Sequence, residues 1–453
     1  MSAENESSQI LWRRRIYRTV RQMNVLRSSI AVGLLLFVWL LLASGGSESA
    51  DGEKRAAEKD DGFSPIRIMR RSLGIAHASC KKLKVVVEKL KIETEGYVQE
   101  TAPGGGYLNN RMAVLGHHFV SARTLVIMAT KNKLMFPMLG PTNMTGEQAC
   151  QVFIDEAKKK RQYWMNVLGG KCQATEDGRD ITFVTHISYN RMYMLERIAA
   201  HWEGPMSVAI DILPENFDQL VENFCASESL QLKENLMIHL SLKQGEFYPA
   251  NFIRTVALNG SCTNYVFLSD GDFVPVQGSE LRMMEYVKEH GVLAPGEKHA
   301  VVLPAFELLR DGTPFPREKR DVIDLWKEKQ LRPFHLREWP PGHSATLFPY
   351  WKIADKIYRI KWRRQFEPYL IMRSDEVPAY NQEFVGRFFD KVSHAMEIAA
   401  RGFQFLVTPD LYTVHLPHPV TSDVKNADLY MGCAIRLHFD FKKRLKEQFN
   451  ATL

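Results

Sequence analysis

The chain has 453 residues, 59 Lys plus Arg against 52 Asp plus Glu, with 45% apolar and 25% charged residues. This ordinary globular composition suits one large domain or two, and it excludes a disordered chain, a collagen and a disulfide-stapled miniprotein. Of the formal net charge of +7, +4 falls before residue 28, where Arg13, Arg14, Arg15, Arg18, Arg21 and Arg27 face Glu4 and Glu6. The +3 that remains is too little to argue for a polyanion partner, and no nucleic-acid partner is expected.

Residues 1–27 form a basic tail, and residues 28–47, from Ser28 to Ser47, carry no charge. As a helix that segment spans about 30 Å, one bilayer core. It starts later and runs longer than a cleaved signal peptide, the alternative that the small Ala43-Ser44-Gly45 tail permits. We read a signal-anchor transmembrane helix with the arginines cytosolic and the rest of the chain lumenal, a single-span type II topology. Cys80, Cys150, Cys172, Cys225, Cys262 and Cys433 then lie in an oxidising compartment. They permit three disulfides of unreadable pairing, with six buried thiols as the alternative. No Cys-x-x-Cys pair indicates a zinc knuckle or a thioredoxin-like site. Asn143, Asn259 and Asn450 head lumenal glycosylation sequons, whereas the sequon at Asn5 is cytosolic. Residues 48–65 are charged and poor in apolar side chains, a flexible stem. Residues 66–175 carry apolar pieces such as 84–87 and 124–128, a lumenal region of unassigned role.

From Asp180 onward strands alternate with helices. Ile181 to Thr185, Ser207 to Asp211, Leu236 to Leu242 and Tyr265 to Ser269 read as buried strands. Arg191 to Trp202, Glu215 to Phe224 and Ala250 to Leu258 read as helices between them. The pattern predicts an α/β fold, a mostly parallel twisted sheet with right-handed crossovers and flanking helices. Ligands bind such sheets at the carboxyl ends of strands, where Asp270 falls.

Asp270-Gly271-Asp272 places two hard oxygen donors directly after a strand. Alternation would point both carboxylates one way, with Gly271 letting a ligand approach the backbone. Such a pair can hold a divalent cation that neutralises a departing diphosphate, although Asp-Gly is also a favoured hairpin turn. His415, at the end of a short apolar strand, is the best third ligand. A mixed carboxylate and imidazole set favours Mn²⁺ over Mg²⁺ or Ca²⁺. His415-x-x-His418 lacks the Glu and the spacing of a zincin helix.

Several ordered blocks are similar to one family. They are His201-Trp202-Glu203-Gly204-Pro205, the run from Phe247 to Arg254, the run from Tyr265 to Phe273, and Leu303-Pro304-Ala305-Phe306-Glu307. Gly342-His343, Phe366-Glu367-Pro368-Tyr369, Asp390-Lys391-Val392-Ser393-His394 and His415-Leu416-Pro417-His418 follow. Over about Ile181 to Ser422 the chain resembles the LARGE-type glycosyltransferases of family 49, which include the β-1,4-glucuronyltransferase that primes the matriglycan of α-dystroglycan. The resemblance implies a GT-A catalytic domain over residues 176–453, Golgi residence, a UDP-sugar donor, Mn²⁺ and inversion at the anomeric carbon.

Carried over residue by residue, Asp270, Asp272 and His415 hold the metal, and Asn251, Arg254 and Asp270 contact the donor. Thr185, at the end of the first strand, meets the uridine by sheet topology. His343 and Glu367 lie in the acceptor half. Asp390 is the expected general base, with Glu383 and Asp375 as alternatives. The family often has Asn at the position of Asp390. Asn381-Gln382-Glu383-Phe384 and Gly386-Arg387-Phe388 stand where it has Asp-Glu-Arg-Phe and Gly-Phe-Gly, so the acceptor is the least transferable property. The expected activity is transfer of glucuronic acid from UDP onto a xylose-terminated glycan or glycoprotein. Another UDP-sugar, or a silent glycan-binding relative, is the competing reading. A calcium-binding adhesion ectodomain would need denser acidic loops. A homo-oligomer is left open.

Overall fold

The computed structural model describes residues 65–94, 146–170, 172, 174, 179–245, 247–386, 388–418 and 427–453. The expected tail, signal anchor and stem, together with Asn143, lie outside them. Among the described residues no helix is long and apolar enough to cross a membrane.

Two sheets organise the unit that runs from Pro65 to Leu453. The larger has nine strands in the order β1-β4-β3-β2-β5-β11-β7-β12-β10, and the smaller has four in the order β6-β13-β8-β9. In chain order the strands of the large sheet are β1 Tyr163–Leu168, β2 Ile181–Ser188, β3 Met206–Ile212, β4 Leu236–Leu242, β5 Tyr265–Leu268, β7 His299–Leu303, β10 Tyr358–Ile360, β11 Tyr369–Arg373 and β12 Gln404–Val407. The small sheet comprises β6 Phe273–Pro275, β8 Ala305–Leu308, β9 Leu331–Pro333 and β13 Thr413–His415.

The predicted strands are present, within a few residues of their expected ends. Strands β2 to β5 pair in parallel, as helical crossovers require. Helices cover both faces of that half, which is why β3 and β4 are buried at every position. The other half departs from the expected parallel sheet. β11 is antiparallel to both β5 and β7, β10 is antiparallel to β12, and only β7 and β12 pair in parallel. The physical reason is connectivity, because no crossover helix links β5 to β11. The intervening chain builds β6 to β10 across both sheets and re-enters at the end where β5 leaves, with Leu370 opposite Leu268.

The described parts of the 66–175 region contribute to this same unit. The Pro65–Glu93 helix packs along the Phe217–Ala226 helix, and β1 adds an antiparallel edge to β4. Cys80 pairs with Cys225, Cys150 with Cys433 and Cys172 with Cys262, so all six cysteines are bridged. Three long-range bridges are what an oxidising compartment permits. The His201-Trp202-Glu203-Gly204-Pro205 block is structural. Trp202 is wholly buried against Phe183 and Phe267 and donates its indole N–H to the Pro205 carbonyl. Glu280, also wholly buried, accepts the backbone N–H groups of Glu203 and Gly204.

Candidate active site

β5 and β6 belong to different sheets, so Asp270-Gly271-Asp272 is a crossing between sheets and not a hairpin. Gly271 is required by the chain itself. A Cβ there would lie 2.2 Å from the Ile187 side chain and 2.7 Å from the His186 carbonyl, at the end of β2. The expected ligand approach through Gly271 is thus replaced by a close approach of β2.

The crossing also separates the two carboxylates. Asp272 turns toward β13, which runs antiparallel to β6 with His415 opposite Phe273. Its Oδ2 lies 3.2 Å from His418 Nε2, 3.7 Å from His415 Nε2 and 3.6 Å from Arg191. Asp272, His415 and His418 form a group whose ligand atoms all lie within 4.8 Å of one another. Burial would raise the Asp272 pKa, but the two imidazoles outweigh it and keep the carboxylate ionised.

Asp270 turns the other way, into a cluster of cations. Its Oδ1 accepts from Arg254 at 2.9 Å, and its Oδ2 accepts from Lys391 at 2.7 Å and from the Tyr369 hydroxyl at 3.1 Å. His186 Nε2 stands 3.5 Å from Oδ1, and its Nδ1 is 2.8 Å from the Tyr248 hydroxyl. Burial pushes the Asp270 pKa up, yet Lys391 and Arg254 hold it well below the usual carboxylate range. The expected metal pair is therefore split: Asp272 and His415 sit with His418, and Asp270 sits beside them, neutralised by protein cations.

The remaining expected residues fall into two sets. Arg254 is brought to the site, bridging Asp270 and Asp390, whose Oδ2 accepts at 2.7 Å. Glu367 and His343 also line it. Glu367 has its Oε2 3.7 Å from Lys391 Nζ, and its backbone N–H donates to the Gly342 carbonyl. Burial raises the Glu367 pKa, opposed by Lys391. Buried His343 stacks over Tyr369, and burial drives its pKa well below the ordinary value. A small cleft opens here, bounded by Arg254, Asp270, Tyr369, Tyr380, Lys391 and His394.

Asn251 and Thr185 are placed differently from expectation. Asn251 is wholly buried, with its amide donating to the backbone carbonyls of Asn381 and Asp390 and its oxygen accepting from Arg254. It fastens the start of the Asp390–Ala400 helix. Alternation along β2 sends Thr185 to the face opposite His186, where it is buried and its hydroxyl has no hydrogen-bond partner. The alternative bases are remote or engaged. Asp375 pairs with Arg373, which lies opposite Tyr265 at the far end of β5. Glu383 pairs with Arg444 on the surface. Asn259 and Asn450 are exposed.

The expected set omits His418, Lys391, Tyr369, His186, Tyr248 and Arg191. His418 and Lys391 stood within the quoted blocks, three residues after His415 and next to Asp390. Tyr369 and Tyr248 also stood within those blocks, whereas His186 and Arg191 lay outside them and are brought to the site by the end of β2 and the turn that follows it. A further polar row was also unforeseen. Ser188, Asp211 and Ser241 are cross-strand neighbours at the carboxyl ends of β2, β3 and β4. Asp211 Oδ1 and Ser241 Oγ are buried without hydrogen-bond partners.

The sequence profile of the family described as glycosyl-transferase for dystroglycan matches residues 180–244 and 214–449, together more than half of the chain. The chain is 36% identical over 283 residues to xylosyl- and glucuronyltransferase LARGE2s of Danio rerio, covering 61% of this chain and 37% of that one. It is 34% identical over 278 residues to xylosyl- and glucuronyltransferase LARGE1 of Homo sapiens, covering 60% and 36%. The match thus spans well under half the length of these curated relatives. Among solved structures, S. aureus TarS 1-349 in complex with UDP aligns over 58% of this chain and 65% of its own, with TM-score 0.35 and 14% identity. GalNAc-T7 with UDP, GalNAc and Mn2+ aligns over 60% and 54%, with TM-score 0.37 and 10% identity. At these scores the structural likeness carries no argument.

Proposed function

Because the chain belongs to glycosyltransferase family 49, the glycosyl-transferases for dystroglycan, we propose that it transfers a sugar from a UDP-sugar to a glycan with a divalent metal and inversion of configuration. The single observation that carries this reading is the convergence of Asp272, His415 and His418 beside Asp270 at the crossing between the sheets. The donor we propose is UDP-glucuronate and the acceptor a xylose-terminated chain, as the names of the relatives suggest. The setting we propose is a GT-A domain over residues 176–453, carried as a type II protein of the Golgi membrane. The three disulfides support a lumenal location.

The residues present fit a resident cation. Asp272 Oδ1 is a buried oxygen with no hydrogen-bond partner, and one carboxylate with two imidazoles is a donor set suited to Mn²⁺. Asp272, His415 and His418 would hold it, with Asp270 adjacent, and the ion would supply positive charge to the leaving diphosphate. Arg191, near Asp272, is placed to pair with a phosphate. The row Ser188, Asp211 and Ser241 offers unsatisfied polar atoms to the nucleoside.

Inversion needs one carboxylate to take the proton of the attacking hydroxyl. Asp390 and Glu367 flank the cleft, each next in sequence to a lining residue, Lys391 and Pro368. The Oδ2 of Asp390 is taken by Arg254, whereas the Glu367 side chain accepts no hydrogen bond among the described residues. Its raised pKa also suits proton capture. We therefore assign the base to Glu367 in preference to Asp390, which positions Arg254.

UDP release by the purified chain, with a panel of UDP-sugars and a xyloside acceptor, with and without Mn²⁺, tests the reading. Manganese-dependent turnover of UDP-glucuronate is expected. Turnover of another UDP-sugar discards the glucuronyl assignment alone. No turnover by folded protein favours a silent glycan-binding relative.

A further inference from the structure

The whole-chain charge conceals a local concentration. From 352 to 364 the chain carries Lys352, Lys356, Arg359, Lys361, Arg363 and Arg364 against Asp355 alone. All but Lys352 are exposed. Some surface cations elsewhere have partners, as Lys327 has Asp324 and Arg373 has Asp375, but among the described residues single exposed ones such as Lys160 and Lys329 do not; what sets this strip apart is the number of such cations in so few residues. Among the described residues, Lys356, Arg359, Lys361, Arg363 and Arg364 make no ion pair.

Tertiary structure adds two more cations to the same place. Trp362 packs against the cluster containing Phe441 and Leu445, which clamps the strip to the Ala427–Phe449 helix. Lys442 of that helix is thereby brought near Arg364, with Lys446 one turn on, and neither lysine makes an ion pair among the described residues. Burial lowers the Lys442 pKa, and Arg364 and Lys446 lower it further, the signature of like charges without counter-ions. Such crowding opposes folding unless an anion relieves it.

The strip leads to the candidate site. β10 lies four strands from β5, roughly 19 Å across the sheet at the usual strand spacing. It begins opposite Val407 and ends opposite Phe405, so it runs antiparallel to β12 and away from the Asp270 end of the sheet. Residues 361–366 then bring the chain back to Glu367 and Tyr369 at the cleft. Flat apolar faces are interleaved with the charges. Tyr350 is 50% exposed with its ring 4.8 Å from that of Tyr358, and Ile353 is 77% exposed. Aromatic faces among cations suit a chain of pyranose rings bearing acidic groups, more than a featureless polyanion.

We propose that the strip from Lys356 to Arg364, with Lys442 and Lys446, binds an anionic glycan and holds the acceptor or product chain while its end occupies the cleft. The proposal rests on the glycosyltransferase reading for the identity of the glycan, but its binding step is measurable without turnover. Cations on an edge strand also guard against strand addition, and the test separates that role.

The full chain is titrated with two probes, a heparin dodecasaccharide for sulfates and an oligogalacturonate dodecamer for carboxylates alone, at 50 and 150 mM salt. The triple variant Lys361→Gln, Arg363→Gln, Arg364→Gln is compared with a Lys327→Gln control. At least a tenfold loss of affinity for one or both probes and a shallower salt dependence are expected in the triple variant. Transfer to a small neutral xyloside should stay within about twofold of wild type. The proposal is overturned if glycan affinity is unchanged, or if poly-glutamate or phosphatidylserine vesicles compete as well as the glycans. Self-association of the triple variant with undiminished binding would also overturn it, leaving edge protection as the role. A wild-type chain that binds glycan through the strip but transfers nothing sinks the catalytic reading and leaves the strip standing.

Discussion

His418 Nε2 lies 3.2 Å from Asp272 Oδ2. His415 approaches the same oxygen at 3.7 Å, so the residue without an expected role is the closer of the two. His418→Ala and His415→Ala should therefore each weaken Mn²⁺ binding by at least about tenfold, since each removes a donor that orients Asp272. Calorimetric titration of Mn²⁺ into the two variants checks this. An unchanged affinity in His418→Ala would remove it from the ligand set.

Arg254 is buried between Asp270 and Asp390. Removing it leaves Asp390 without a counter-charge and Asp270 with Lys391 as its main cation, and breaking such a buried pair costs about 3–5 kcal/mol. Arg254→Met should show a denaturant midpoint lowered accordingly. The double variant Arg254→Met, Asp390→Asn should recover part of the loss.

The two carboxylates at the cleft separate by kinetics. Glu367→Gln should lower kcat by about 10² to 10⁴-fold with little change in UDP affinity. The Glu367 pKa is raised by burial, so the active, ionised form appears only as pH rises through a value above the usual glutamate range. The acidic limb of the wild-type rate profile should sit there and vanish in the variant. Asp390→Asn should act mainly on stability. The reverse pattern would return the base to Asp390.

Burial raises the Asp211 pKa to about 7 from an ordinary 3.8. The folded value lies above the unfolded one, so between those limits the folded state binds more protons. Stability from this group is full below about pH 4 and declines as pH rises through 7. Asp211→Asn should flatten that decline, raising the melting temperature at pH 8 more than at pH 4. Parallel curves for the two proteins would show that Asp211 is ionised in the fold.

The Cys150–Cys433 bridge ties the Gly146–Lys158 helix to the Ala427–Phe449 helix across a separation of 283 residues. Replacing both cysteines by serine should cost about 2–5 kcal/mol, the usual loss for a native bridge. Peptide mapping without reductant should recover the three observed pairs, and any other pairing would contradict the arrangement of these helices.

Local pattern made much of this molecule readable. Ile181 to Thr185 and Leu236 to Leu242 announce themselves as strands because short apolar runs between helices have few other folded forms. Asp270, Asp272 and His415 stood out because carboxylates and an imidazole at strand ends are chemically conspicuous. The amino-acid order alone thus carried the α/β core of β2 to β5, the family resemblance and, at the cleft, Arg254 and Asp270. Only the tertiary structure decided that Asp270 and Asp272 face different partners, that Arg254 bridges Asp270 to Asp390, that β11 enters antiparallel, and that the cations of 352–364 meet Lys442 and Lys446. Each of these depends on contacts between segments distant in the chain. Periodicity reports which face of an element is buried, and it holds no information on which distant element that face will meet.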